Sequence, residues 1–271
     1  MRGIPLTLTE RRPQGNINTT ALKLIALVFM FIDHAGKMCF PHVAEMRMLG
    51  RIAFPLYCWC LVVGASYTRS FPKYLLRIAL IGALSQPLYM VVLNHRWSEF
   101  NIFLTLFVAV LGLWGLREKK WLSHIWAPVL ALILAHFLGV DYGWKGVLLV
   151  FLLWAVRDSK PGIAAVMIAF CLFWGASSSA VNKVFGLSLI GLTRTKLGML
   201  LSPFLKLQGL ALLSLPLMLW NIPGKWKLPR WTGYAIYPAH LLLLIALEYL
   251  MGKTVHWEHL PNAWQQFIAI F

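Results

Sequence analysis

The sequence predicts an all-α fold: a polytopic transmembrane helix bundle of about nine spans, with its N-terminus in the cytoplasm and its C-terminus outside. Three observations carry this. Of 271 residues, 59% are hydrophobic and 13% charged, with a mean hydropathy of +0.70, whereas a soluble domain devotes about a quarter of its residues to charge. Several apolar runs approach or exceed the roughly 18 residues expected of a bilayer crossing. Most lysines and arginines cluster at the ends of those runs, so the net charge of +16 records topology and not a nucleic-acid-binding face.

Spans can be drawn at 21–40, 52–68, 75–93, 101–116, 125–140, 146–156, 161–176, 199–220 and 233–251. The sixth is the shortest. With the N-terminus inside, Arg2, Arg11, Arg12, Arg69, Lys73, Arg77, Arg117, Lys119, Lys120, Arg157, Lys160, Lys225, Lys227 and Arg230 all fall on the cytoplasmic side. His256 and His259 then end outside. Trp97, Trp121, Trp144, Trp226 and Trp231 near span ends fit interfacial anchoring. Asp33 and His34 interrupt the first apolar run, which reads as a retained helix and not a cleaved signal. With no internal repeat, the chain divides into a basic cytoplasmic tail at 1–18, a bundle at 19–251 and an external segment at 252–271. Residues 177–198 form the longest external connection, with room for a re-entrant or interfacial piece. Cys39, Cys58, Cys60 and Cys171 read as buried free thiols, and no metal is expected.

Ionisable groups inside a span cost about 2.5–3.5 kcal/mol each on insertion scales, so each asks for a partner or a function. Lys23 and His34 lie eleven positions apart, about three helical turns, and share a face roughly 16 Å long. A snorkelling lysine and a hydrogen-bonded histidine are the bland readings; an anion site and a proton-transferring group are the functional ones. Asp33 points about 100° away from His34, with Lys37 at i+4 as its natural local partner. Arg51 opens the second span, able to pair with Asp33, snorkel to the interface, or hold an acidic group. In the last span Pro238 frees a carbonyl near Tyr234, making Tyr234, Tyr237 and His240 candidates for a second cavity wall. Glu248 reads as interfacially exposed. Ser85, Gln86, Asn101 and Thr105 are ordinary interhelical hydrogen-bonding residues, and residues 141–146 read as an external turn. No phosphate-binding glycine loop, dinucleotide fingerprint, HExxH or GxSxG motif is present.

The segments LKLIALVFMFIDHAGKMCFP, GRIAFPLY, YLLRIALIGALSQPLY and YAIYPAHLLLL, in that order, resemble the TraX family over about residues 20–250. The resemblance implies a bacterial inner-membrane acetyltransferase using acetyl-CoA, as TraX acetylates the N-terminus of the F-type pilin subunit. Lys23, ten intervening residues and His34 are also similar to the first-helix motif of the acyltransferase-3 membrane acyltransferases.

On that resemblance His34 and Asp33 are the candidate catalytic residues, Lys23 the acetyl-CoA-binding residue, and Arg51, Tyr237 and His240 the acceptor or oxyanion site. The partners implied are acetyl-CoA, the bilayer and a secreted or envelope acceptor, either a pilin-like peptide or a glycan; nucleic acid is not among them. O-acetylation of an envelope glycan or lipid, a proton-coupled transporter and a non-catalytic assembly subunit are the competing readings.

Overall fold

A computed structural model describes residues 12–96, 98–181, 183–184, 186–189, 195–223, 232–253, 255 and 257. Arg2, Arg11, Trp97, Lys225, Trp226, Lys227, Arg230, Trp231, His256, His259 and the side chain of Tyr234 lie outside the described set.

The described chain is mostly helical. Helices α1 (Thr19–Met38), α2 (Ala44–Gly50), α3 (Ala53–Tyr67), α4 (Phe71–Leu93) and α5 (Ile102–Glu118) are followed by a 3-10 turn, Lys120–Leu122. Then come α6 (Ser123–Phe137), α7 (Gly143–Ala155), α8 (Lys160–Ala176), α9 (Lys196–Leu201), a 3-10 helix at Leu207–Ser214, α10 (Leu215–Leu219) and α11 (Thr232–Leu250). Among the described residues, four stretches are long and apolar enough to cross a membrane: Thr19–Met38, Ala44–Tyr67, Phe71–Leu93 and Lys120–Phe137. Several shorter apolar helices pack among them. Apolar side chains such as Leu76, Leu84, Ile125, Phe137 and Leu243 are exposed on the outside of the bundle, as expected where the surrounding solvent is lipid.

Local chemistry sets the boundaries. Asn18 caps α1 by accepting from the Ala21 N–H, Ser70 and Pro72 start α4, and Asn101 and Ser159 cap α5 and α8. At the far end of α1, the Lys253 ammonium donates to the carbonyls of Met38 (2.7 Å) and Cys39 (2.9 Å), satisfying acceptors that the helix leaves open.

The turn between α6 and α7 spans residues 138–142, and α7 already begins at Gly143, three residues earlier than the sequence suggested. Gly139 and Gly143 both have positive φ, 58° each, in this turn.

The stretch 199–220 is not one continuous helix. It is divided into α9, a turn containing Pro203, the 3-10 helix and α10. Pro203 and Pro216 each lack a backbone donor, and Gly209 sits so close to the Phe204 carbonyl that an added Cβ would lie 2.9 Å from it. Within the long connection 177–198, a two-stranded hairpin pairs Lys183–Val184 with Leu187–Ser188.

The basic connections group at one end of the bundle. Arg117, at the end of α5, donates to the carbonyls of Ala65 and Thr68 (2.8 Å each) at the end of α3. Before α1, the Gln14 N–H donates to the Arg157 carbonyl, while Pro13, Gly15 and Asn16 are buried. The opposite end gathers the end of α1, α2, the loop after α4 and the α6–α7 turn.

Candidate functional site

Helix α1 carries Asp33 and His34 into the bundle five residues before its end, where α2, α3 and α11 surround it. The Asp33 carboxylate is held on both oxygens: Arg47 of α2 donates to Oδ2 at 2.7 Å and Arg51 to Oδ1 at 2.5 Å. Asp33 is buried and the Arg51 side chain is 9% exposed. Lys37 is therefore not the partner of Asp33. The short helix α2 folds back along α1 and brings two arginines to the carboxylate, because Gly50 lets the backbone pass directly against the Asp33 side chain.

Beside this clamp, the His34 ring stacks on His240 of α11, with centroids 5.6 Å apart and planes 21° from parallel. The Tyr237 ring meets His240 edge-on at 4.7 Å, and Phe103 of α5 meets Tyr237 at 4.6 Å. His34 Nδ1 and both ring nitrogens of His240 are buried without a hydrogen-bond partner. The carbonyls of Ile236 and Tyr237, one turn back, lie near the His240 ring but outside hydrogen-bond geometry.

His34, but not His240, lines a small cavity whose polar side is completed by Asp33, Tyr57, Tyr89, Asp141, Tyr142 and Tyr237, with Met30 and Phe54 among the apolar walls. Its volume of about 20 Å³ suits a single water molecule. The cavity is too small for a thioester arm. Phe54 and Tyr142 stack at 3.7 Å to form one wall, a contact that Gly146 allows by leaving Phe54 room.

The structure thus brings together Asp33, His34, Arg51, Tyr237 and His240. Lys23 lies on the exposed side of α1 and does not line the cavity. Met30, on the same helical stripe between Lys23 and His34, does line it. Glu248 is buried at 4% exposure, not interfacial. Gln86 and Asn101 act structurally: Gln86 donates to the Glu99 carbonyl and accepts from the Asn101 N–H, and Asn101 donates to the Gly82 carbonyl. Among the described residues no group of three or more His, Cys, Asp or Glu side chains is arranged to share a metal ion.

Sequence reasoning missed Arg47, the tyrosines at 57, 89 and 142, and a polar chain beside the cavity. In that chain the Lys37 ammonium donates to His95 Nε2 at 2.9 Å, and His95 Nδ1 lies 3.1 Å from Glu99 Oε2. The His95 ring stacks on the cavity-lining Tyr89, 5.1 Å between centroids. Burial pushes the His95 imidazole below its ordinary value, reinforced by Lys37 and opposed by Glu99. The Arg96 backbone N–H, 2.7 Å from Glu99 Oε2, holds that carboxyl below the usual range. The one available signal was the i, i+4 spacing of His95 and Glu99.

The TraX protein family model matches residues 18–248. The chain belongs to the TraX family. Among curated relatives of this TraX-family chain, the probable fimbrial assembly protein FimC, serogroup H1, of Dichelobacter nodosus is 28% identical over 251 residues, 86% of this chain and 97% of its own. The uncharacterized protein RP591 of Rickettsia prowazekii (strain Madrid E) is 24% identical over 177 residues, 64% of this chain and 67% of its own. No solved structure matches the chain. Family and apolar helices together make it a membrane protein.

Proposed function

We propose that this TraX-family chain is a multi-pass acetyltransferase of the bacterial inner membrane, crossing it about nine times with the N-terminus inside. It moves an acetyl group from cytoplasmic acetyl-CoA to an acceptor approached from the outer side, such as the N-terminal amine of a pilin-like peptide. The observation that carries this reading is the stacked His34–His240 pair, in which His34 lines a polar cavity and keeps its buried Nδ1 without a hydrogen-bond partner. A ring nitrogen not engaged by the protein is available to exchange a proton with a bound substrate group. The fimbrial-assembly name of the Dichelobacter relative supports a pilin-like acceptor.

In this reading a neutral His34 takes the proton of the acceptor amine as it attacks the thioester carbonyl. His240 and Tyr237 orient the reacting groups, and the excess positive charge of Arg47 and Arg51 over Asp33 favours the developing oxyanion. Asp33, engaged on both oxygens, positions His34 through the α1 backbone. Lys23 suits the phosphates of the donor at the far end of the same helix. Because the cavity is small, the donor arm enters as α11 parts from α1, a motion eased at Pro238, where the helix lacks one backbone hydrogen bond.

Purified protein in nanodiscs, given labelled acetyl-CoA and a pilin-like peptide, is expected to form a base-stable amide on the peptide. His34→Ala should lower the rate by about 10²–10⁴-fold with the fold unchanged. Full activity in a folded His34→Ala variant overturns the base role, and the absence of transfer from acetyl-CoA overturns the reaction.

A further inference from the structure

The polar chain Lys37–His95–Glu99 takes no part in the mechanism above, yet it has the arrangement of an activated nucleophile. An ammonium can only donate, so His95 Nε2 accepts from Lys37 at 2.9 Å. The ring proton therefore resides on Nδ1, facing Glu99 Oε2 at 3.1 Å. Glu99 is fixed in turn by the Arg96 N–H at 2.7 Å, and the loop carrying it is tied down by Gln86, which donates to the Glu99 carbonyl at 2.9 Å. Nucleophile, base and orienting carboxylate within hydrogen-bond reach of one another constitute the recurring geometry of nucleophilic activation. Packing against Tyr89 fixes the plane of the imidazole. Lys37 is exposed, and it follows His34 by three residues on α1, less than one turn and on the same face.

We propose that Lys37 is an activated amine that accepts an acyl group from an acyl thioester, with His95 as its base and Glu99 as the positioning residue. His95 Nε2 takes one proton from the Lys37 ammonium. The freed amine attacks the thioester carbonyl carbon; a C–N bond forms, the C–S bond breaks, and the second amine proton leaves with the thiolate as thiol. The product is Nε-acyl-Lys37, a stable amide that removes one positive charge from beside His34. Such a product cannot pass its acyl group onward, so Lys37 is a self-modification site and not a relay. The inference uses the acyl-transfer class of the proposed function but does not require acetyl-CoA as the donor.

The test exposes the intact protein in nanodiscs to a small thioester, S-acetyl-N-acetylcysteamine, and follows acetylation of each lysine by peptide mass spectrometry. Lys37 is expected to acetylate well ahead of Lys73 and Lys253. His95→Phe should slow Lys37 by about 10²-fold, and Glu99→Gln by a smaller factor. Lys253, whose ammonium caps α1, reports on the fold: its labelling rate should stay constant in both variants. Lys37 reacting no faster than Lys73, or reacting equally in wild type and a folded Glu99→Gln variant, overturns the proposal. Acetylation of Lys37 by the small thioester but not by acetyl-CoA upholds the activated amine and counts against the donor assigned under the proposed function.

Discussion

At the scale of single residues, the geometry around Asp33 ranks its partners. Arg51 is 9% exposed and Arg47 34% exposed at the side chain, and removing one member of a buried pair leaves a charge stranded, at a cost of about 3–5 kcal/mol. An exposed partner contributes roughly 0–1 kcal/mol. Thermal unfolding in detergent should therefore show Asp33→Asn as the largest loss, about 3 kcal/mol, with Arg51→Ala well above Arg47→Ala, near 1 kcal/mol. Equal losses for the two arginines would contradict the ranking. Asp33 and Arg51 were readable as candidate partners because Asp33 interrupts one apolar run and Arg51 opens the next. Arg47 was not: it sits in a seven-residue helix outside the predicted spans, and only the backward fold of α2 along α1 directs it to the carboxylate.

At the scale of elements, small residues allow close helix packing. Gly115 of α5 packs against Ala127 and Ser123 of α6, and an added Cβ would lie 2.7 Å from the Ser123 carbonyl oxygen. The Ser123 hydroxyl donates to the Gly115 carbonyl at 2.9 Å, closing the same contact with a polar bond. Gly115→Val should separate α5 from α6 and destabilise by about 1–3 kcal/mol, as expected for overpacking. The measurement is the unfolding midpoint, with Gly252→Ala as a contrasting substitution: nothing lies within 4 Å of that Cβ position, but its φ of 67° gives a local backbone penalty only. A Gly115→Val midpoint no lower than that of Gly252→Ala would remove the packing argument.

At the scale of the molecule, the residues before α1 belong to the bundle. The Trp59 indole N–H donates to the Asn16 carbonyl at 2.8 Å, the Asn16 N–H to the Met218 carbonyl at 2.6 Å, and the Asn16 side chain to Leu217 at 3.1 Å. Gly15 lies against Trp59, where a Cβ would be 2.5 Å from the ring. One short segment thus joins α3 to α10. Trp59→Phe removes the donor, worth about 1 kcal/mol, and the Asn16 amide, bonded to the Met218 carbonyl, should exchange with deuterium faster in that variant while amides elsewhere in the bundle keep their rates. An unchanged Asn16 exchange rate would show that the segment is held by other contacts.

By itself the sequence determined the solvent, the helical class, the rough places of most helices and the positions at which charge enters apolar runs. Each depends on local composition or on spacing along one helix, so linear reading suffices. It also singled out His34, Tyr237 and His240, because a histidine or a proline inside an apolar run is conspicuous without any partner. Only the tertiary structure decided which of these residues meet: the histidine stack between α1 and α11, the double arginine clamp, the tyrosine-lined cavity and the exclusion of Lys23 from it. The Lys37–His95–Glu99 chain shows the reason most directly. His95 and Glu99 are neighbours in sequence, but Lys37 lies 58 residues from His95, and that distance closes only when α1 and the loop after α4 reach the same end of the bundle.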